Sequence, residues 1–392
     1  MWPTPDRDPQ AARFLVLQHS RRAFTLLELL VSMVVVGILM LVLVQTTTST
    51  SNLWRGTTDK IKSFQNARSA FEAITQTVSQ ATLNTYYEYY DSAGLKYTGQ
   101  TTFTPALCDR CSELHFVSGP ATKVLAGINR GGTLPGAYAS LCPGHVMFFQ
   151  SPLGYTRETS AGAVNLDNTL NSIGYFVEFG SDLDFLPSFL SGSVKPRYRY
   201  RLMQFFQPSE EMTVYTESWS GRSAGGKATW FSSPLALALT GTSGVRPASV
   251  LADNVLYLVI RPKRSAKEFE AANPKPKPIA PDYVYDSRPK AQITPGEVGN
   301  YPTRHQLPPI VAITLVAIDE ASALRLENRF GSTPPLQALG IDKLFQTEAD
   351  TNVPDQYVQD LDKLKTVLTD NRVTFRIFET EVMLRSSKWT KD

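Results

Sequence analysis

Cys108-Asp-Arg-Cys111 is a C-x-x-C and Cys142-Pro-Gly-His145 a C-x-x-H, with His115 close by as a spare ligand. Three thiols and an imidazole at that spacing match zinc-knuckle chemistry. Two other states fit the same residues. One is a single disulfide with a cysteine left over, which is favoured outside the cytoplasm. The other is three free thiols. His115 and His145 each open an apolar run, LHFV and HVMFF, that reads as a strand. If those strands pair antiparallel and adjacent, Cys111 and Cys142 fall at opposite ends of the pair and cannot share a metal. The segment Gly221 to Ala228 approaches the phosphate loop GxxxxGK[ST]. Ala228 replaces the hydroxyl that would hold Mg²⁺, so the segment reads as a Gly-rich hairpin loop. The chain contains no G-x-S-x-G, no H-E-x-x-H and no His-centred triad. No catalytic residue and no cofactor is expected.

One carboxylate stands out by its surroundings. From Phe24 to Val44 the sequence reads FTLLELLVSMVVVGILMLVLV, 21 residues with Glu28 as the single charge. At 1.5 Å per residue that is about 32 Å of helix, enough to cross a hydrocarbon core. Arg21 and Arg22 precede the run, and the uncharged QTTTSTSN follows it. The positive-inside rule then puts residues 1–23 in the cytoplasm and the body on the other side, in the periplasm. An ordinary signal anchor accounts for the run but not for Glu28. A twin-arginine signal fits Ser20-Arg21-Arg22-Ala23-Phe24, but it needs a short apolar region and an A-x-A-like cut. A carboxylate inside a membrane helix costs about 2.5–3.5 kcal/mol on insertion scales, which marks it as functional. A cut between Ala23 and Phe24 would make Glu28 the fifth residue of the mature chain. There it could neutralise the new amine of a neighbouring subunit.

The segment RRAFTLLELLVSMVVVGILM resembles the cleavage and methylation segment of type IV prepilins and type II secretion pseudopilins. Phe24 matches the methylated residue and Glu28 the fifth-position carboxylate. Ala23 stands where Gly is usual, and both are small. The resemblance implies cutting by a prepilin peptidase at Ala23/Phe24 and assembly with other pilin or pseudopilin subunits through the first helix. IGYFVEF, RYRYRLMQFFQPSEEMTVY, LADNVLYLVIRP and LPPIVAITLVAID, in that order, resemble the sheet of J-type minor pseudopilins. The phrases YDSR, QLPPIVAITLVAIDEASA and RSSKW are most similar to the Verru_Chthon cassette protein C family, large pilin-like proteins, a resemblance that would cover nearly the whole chain.

The elements that carry these residues follow from periodicity. Ile61, Phe64, Ala67, Phe71, Ile74, Val78 and Ala81 form one helical stripe, so the first helix is expected to continue to about Leu83. Thr46–Asn52 is a weak helix-forming run that could bend or melt between its halves. Strands are expected at Leu114–Val117, Val146–Gln150, Gly174–Phe179, Tyr198–Phe206, Met212–Thr216, Val255–Arg261, Ile310–Ala317 and Val373–Leu384. Helices are expected over Glu320–Arg329 and Pro354–Thr369, the latter with Tyr357, Leu361, Leu364 and Leu368 on one face. Residues 262–309 hold ten prolines and read as a surface insertion, disordered or extended. Tyr86-Tyr87-Glu88-Tyr89-Tyr90 reads as a half-buried strand or an aromatic contact patch. Arg197, Arg199 and Arg201 read as an exposed strand face.

The expected fold is α+β, a long amino-terminal helix packed on a mainly antiparallel sheet in the manner of pilins. Its parts are a leader (1–23), the helix and its extension (24–83), a β-rich body (84–261), the insertion (262–309) and the end of the body (310–392). Apolar residues at 42% supply a core, and a net charge of +3 does not suit a nucleic-acid binder. The expected function is a structural minor pilin- or pseudopilin-like subunit of an envelope filament or type II secretion-type pseudopilus, anchored in the inner membrane by its first helix. The alternative is a membrane-anchored periplasmic binding module that never polymerises.

Overall fold

The computed structural model describes residues 25–97, 99, 102–130, 136–157, 168–187, 189–190, 192–215, 230–237, 246–265, 279–290, 293–297, 300–347 and 356–389. The chain forms two compact units, Met1–Thr57 and Thr58–Asp392. The first consists, among the described residues, of the start of one helix, α1 (Leu26–Ser79). Thr46–Asn52 does not break it. The hydroxyls of Thr46, Thr47 and Thr48 donate to the carbonyls of Leu43, Leu43 and Val44 at 2.9, 2.8 and 2.7 Å, so each polar side chain is satisfied by the helix itself.

The second unit begins within α1 and continues as strands. In chain order these are β1 (Tyr86–Tyr90), β2 (Leu107–Cys111), β3 (Val117–Pro120), β4 (Asn129–Arg130) and β5 (Gly136–Ala137). Next come β6 (His145–Pro152), β7 (Leu170–Ser181), β8 (Tyr198–Gln207), β9 (Ala248–Asp253) and β10 (Val255–Lys263). The last three are β11 (Tyr285–Asp286), β12 (Ile310–Ile318) and β13 (Phe375–Met383). A six-stranded sheet runs β11-β3-β6-β7-β8-β9, and a three-stranded sheet runs β10-β12-β13. Within both, every neighbouring pair is antiparallel. The architecture is α+β, a long apolar amino-terminal helix and a mainly antiparallel body.

The centre of the large sheet is buried on both faces, which is why the middles of β6 and β7, Val146–Phe149 and Ile173–Val177, carry side chains that are all apolar apart from Gly174. Gly174 in β7 has a packing reason. A Cβ there would lie 2.2 Å from the ring of Phe148, which stacks on Phe231 with centroids 4.0 Å apart. The α1 stripe lies in the same core. Ala67, Phe71, Ile74 and Val78 are buried, and the Phe71 ring meets Phe378 of β13 at 6.0 Å. Ile61, expected on that stripe, is exposed. The helix stops at Ser79 rather than Leu83, because Thr82 turns its N–H to Gln150 of β6 at 3.0 Å and Asn84 takes a left-handed φ of 46°. The Glu320–Phe330 helix starts on Asp319, whose carboxylate accepts from Ser322 N, and the Gln356–Asp370 helix buries Tyr357, Leu361, Leu364 and Leu368 as its spacing requires.

Three further expectations change. Leu114–Val117 is strand only from Val117, since side chains take the preceding donors. His115 N donates to Gln150 Oε1 and Phe116 N to Ser287 Oγ. Met212–Thr216 is no strand over its described part, 212–215. A 3₁₀ turn at Ser209–Glu211 leads into it, and Thr213 N binds Gln207 Oε1. Residues 262–309 are not a surface excursion where they are described. Pro262 and Lys263 complete β10. Ile279, Tyr283, Tyr285, Ser287, Arg288, Arg304, His305 and Leu307 are buried, and β11 extends the large sheet beyond β3. The aromatic and arginine side chains between the prolines supply the anchoring. The PKPKP run itself lies outside the described residues.

Candidate functional site

At the start of α1, Thr25 caps the helix. Its carbonyl accepts from Glu28 N at 3.0 Å and from Leu29 N at 3.2 Å, and its hydroxyl accepts from Glu28 N at 3.3 Å. Glu28 is therefore the third residue of the first turn in a T-x-x-E capping pattern, where the helix dipole favours a negative charge. Glu28 is exposed, as is every large apolar side chain from Leu26 to Val44. Water is a poor solvent for such a surface, and the helix is long and apolar enough to cross a membrane. Ala23 and Phe24 lie outside the described residues, as does the near-match to a phosphate loop at 221–228.

The residues with zinc-knuckle spacing do not come together. Antiparallel pairing of β3 with β6 sets Val117 against Phe148 and Pro120 against His145, so the Cys111 side and the Cys142 side run to opposite ends. His145 is closed on both nitrogens: Nδ1 accepts from Ile260 N at 2.8 Å and Nε2 donates to Phe345 O at 2.7 Å. Burial holds its pKa down to about 4. All three cysteines are free thiols, with Cys108 exposed and Cys111 and Cys142 buried. Burial, then the nearby Glu178 charge, pushes the Cys142 thiol well up. Among the described residues no group of three or more His, Cys, Asp or Glu is arranged to hold a metal.

His115, the spare ligand, has another task. Its Nε2 donates to Asp286 Oδ1 at 2.7 Å, while Nδ1 accepts from the Trp230 indole at 3.1 Å. This dyad joins residues 171 apart and resembles an acid–base pair. The indole fills the position a nucleophile would need, so the pair works as a tether between the 285–288 segment and the core.

Of the expected arginine row, Arg197 precedes β8 and is exposed, 2.9 Å from Glu320, whereas Arg199 and Arg201, on β8, are buried. Arg199 is 6% exposed, with Glu320 Oε2 at 2.5 Å and Asn254 Oδ1 at 3.0 Å. Arg201 binds Asp253 at 3.1 Å and the Gly180 carbonyl at 2.9 Å. Another network is deeper. Glu178 accepts from Arg130 Nε at 2.6 Å and from the Tyr138 hydroxyl at 2.6 Å, lies 3.1 Å from Arg246, and shares Arg130 with Asp184. Sequence reasoning missed both networks, whose members lie tens of residues apart without a local motif. It also missed Thr25, which the T-x-x-E pattern could have revealed. The tyrosine segment is a strand, β1, with Tyr87 and Tyr89 exposed and Tyr90 buried.

The family model for the prokaryotic N-terminal methylation motif matches residues 18–44. The match spans the basic pair, Ala23, Phe24, Glu28 and the apolar run. The chain carries a type IV pilin-like processing signal. No curated protein and no solved structure matches it. The motif is that of a type IV pilin-like precursor, and it implies handling by a prepilin peptidase and association with a membrane.

Proposed function

We propose that the chain is a minor pseudopilin-like subunit of an envelope filament or type II secretion-type pseudopilus, within the Verru_Chthon cassette protein C group. A prepilin peptidase hydrolyses the Ala23–Phe24 peptide bond, and the new Phe24 amine is methylated. The helix anchors the subunit in the inner membrane, with residues 1–23 cytoplasmic and the body periplasmic. Other subunits are met through the first helix, and Glu28 pairs with the Phe24 amine of a neighbour. The observation that carries this reading is the methylation-motif match over an apolar helix whose first turn holds Glu28.

Mass spectrometry of the membrane-extracted chain tests it. The expected amino terminus is N-methylated Phe24. An intact Met1 end in a host with active prepilin peptidase overturns the reading. A processed chain that gives no cross-links through its first helix leaves the membrane-anchored binding module in its place.

A further inference from the structure

The apolar run stops at Val44, but α1 continues with features that suit a lipid boundary further along. Leu53 and Trp54 are 72% and 76% exposed, and Arg55 is exposed beside them. Trp followed by a cation is the pairing enriched where a helix leaves the acyl region and meets headgroups. Between Val44 and Leu53 the obstacles to burial in lipid are the side-chain amides of Gln45 and Asn52 and six hydroxyls. Those of Thr46, Thr47 and Thr48 all donate back to the helix, as does that of Thr57 to Leu53 O at 2.9 Å. A hydroxyl satisfied within its own helix costs far less to remove from water than a free one.

The axial arithmetic agrees. From Glu28 to Trp54 the helix rises about 39 Å, close to the roughly 40–45 Å of a bilayer counted with its headgroups. The apolar run taken alone, Phe24 to Val44, is about 32 Å long and, centred on the hydrocarbon, would hold Glu28 within it. Moving the embedded span along by several residues brings Glu28 into one headgroup layer and Trp54 into the other. The threonines then sit at the far end of the hydrocarbon, where their back-bonding is needed.

We propose that Leu53-Trp54-Arg55 is a phospholipid-binding anchor that defines the membrane boundary of α1 opposite Glu28. The proposal rests on the membrane-anchored reading above but not on cleavage or on polymerisation. It is indifferent to which side of the membrane the body occupies.

Fluorescence of the full chain in vesicles of phosphatidylethanolamine and phosphatidylglycerol tests it. The difference between wild type and Trp54→Phe isolates the Trp54 signal. Acyl chains brominated near the headgroup should quench that signal about twofold more than chains brominated near the methyl end, as for an interfacial indole. Acrylamide in the aqueous phase should quench it weakly. A signal quenched by acrylamide like free indole, with neither lipid effective, overturns the anchor. Shielding from all three quenchers overturns it too and assigns the face to another helix. A chain that fails to float with vesicles removes the membrane reading and the anchor together. One that floats while Trp54 stays in water removes the anchor alone.

Discussion

From Leu26 to Val44, α1 exposes all of its large apolar side chains, whereas from Ala67 to Val78 it buries Ala67, Ala70, Phe71, Ile74 and Val78. Both stretches are regular helix, so the difference lies in pattern. The first is apolar on every side, which suits a surrounding apolar solvent and names no partner within the chain. The second is apolar on one stripe, which names a single flat partner, and the body supplies it. The two carboxylates repeat the contrast. Glu28 is exposed in a first turn, where its charge is tolerated. Glu178 is buried, with Arg130, Arg246 and Tyr138 all contacting its carboxylate.

The sharpest test of that contrast exchanges the carboxylates' fates. Glu178→Ala leaves two buried guanidiniums short of a counter-charge and should destabilise the body by about 3–5 kcal/mol. Urea unfolding of the detergent-solubilised chain, followed by near-ultraviolet circular dichroism, reads this directly. An unchanged midpoint would mean the network is hydrated. Next comes the stripe. Phe71→Ala should cost about 3 kcal/mol, while Val35→Ala on the exposed half should leave body stability within about 0.5 kcal/mol. Equal effects of the two changes would erase the distinction between the halves.

Acid should act on the body alone. His145 has a native pKa of about 4 against roughly 6.5 unfolded, so between these values the unfolded chain holds the extra proton. Stability should therefore fall as pH drops from 6.5 to 4, by roughly 3 kcal/mol from this residue, and flatten below. Burial, with Arg304 and Arg288 nearby, lowers His305 as well, so it adds in the same direction. A stability curve level across that interval would contradict the closed geometry of His145. The smallest effect on the body is expected for Glu28→Leu, within about 0.5 kcal/mol. Membrane insertion should persist, and filament incorporation, read by cross-linking through the first helix, should fall.

Elements whose partners are local were legible in the sequence. Tyr357, Leu361, Leu364 and Leu368 fall on one helical face by spacing alone, and the apolar runs of β6, β7, β10 and β12 need no further information to be strands. Elements whose donors are satisfied by distant side chains were not legible. Gln150 and Ser287 take the N–H groups of His115 and Phe116 and delay β3. Proline density in 262–309 pointed to the surface, yet Tyr283, Tyr285, Arg288 and Arg304 bring its later part into the body.

By itself the sequence determined the amino-terminal helix, its lone carboxylate and the methylation motif, because these are contiguous and obey short-range rules of length, charge and small-residue spacing. Tertiary structure alone decided the fate of the chemistry-bearing side chains. Cys111 and Cys142 are separated because antiparallel strands carry their ends apart. His115 is bound by an indole and a carboxylate 115 and 171 residues away. The β8 arginines are buried because acidic partners from other elements converge on them, and a polar group's meaning is set by what neutralises it in space.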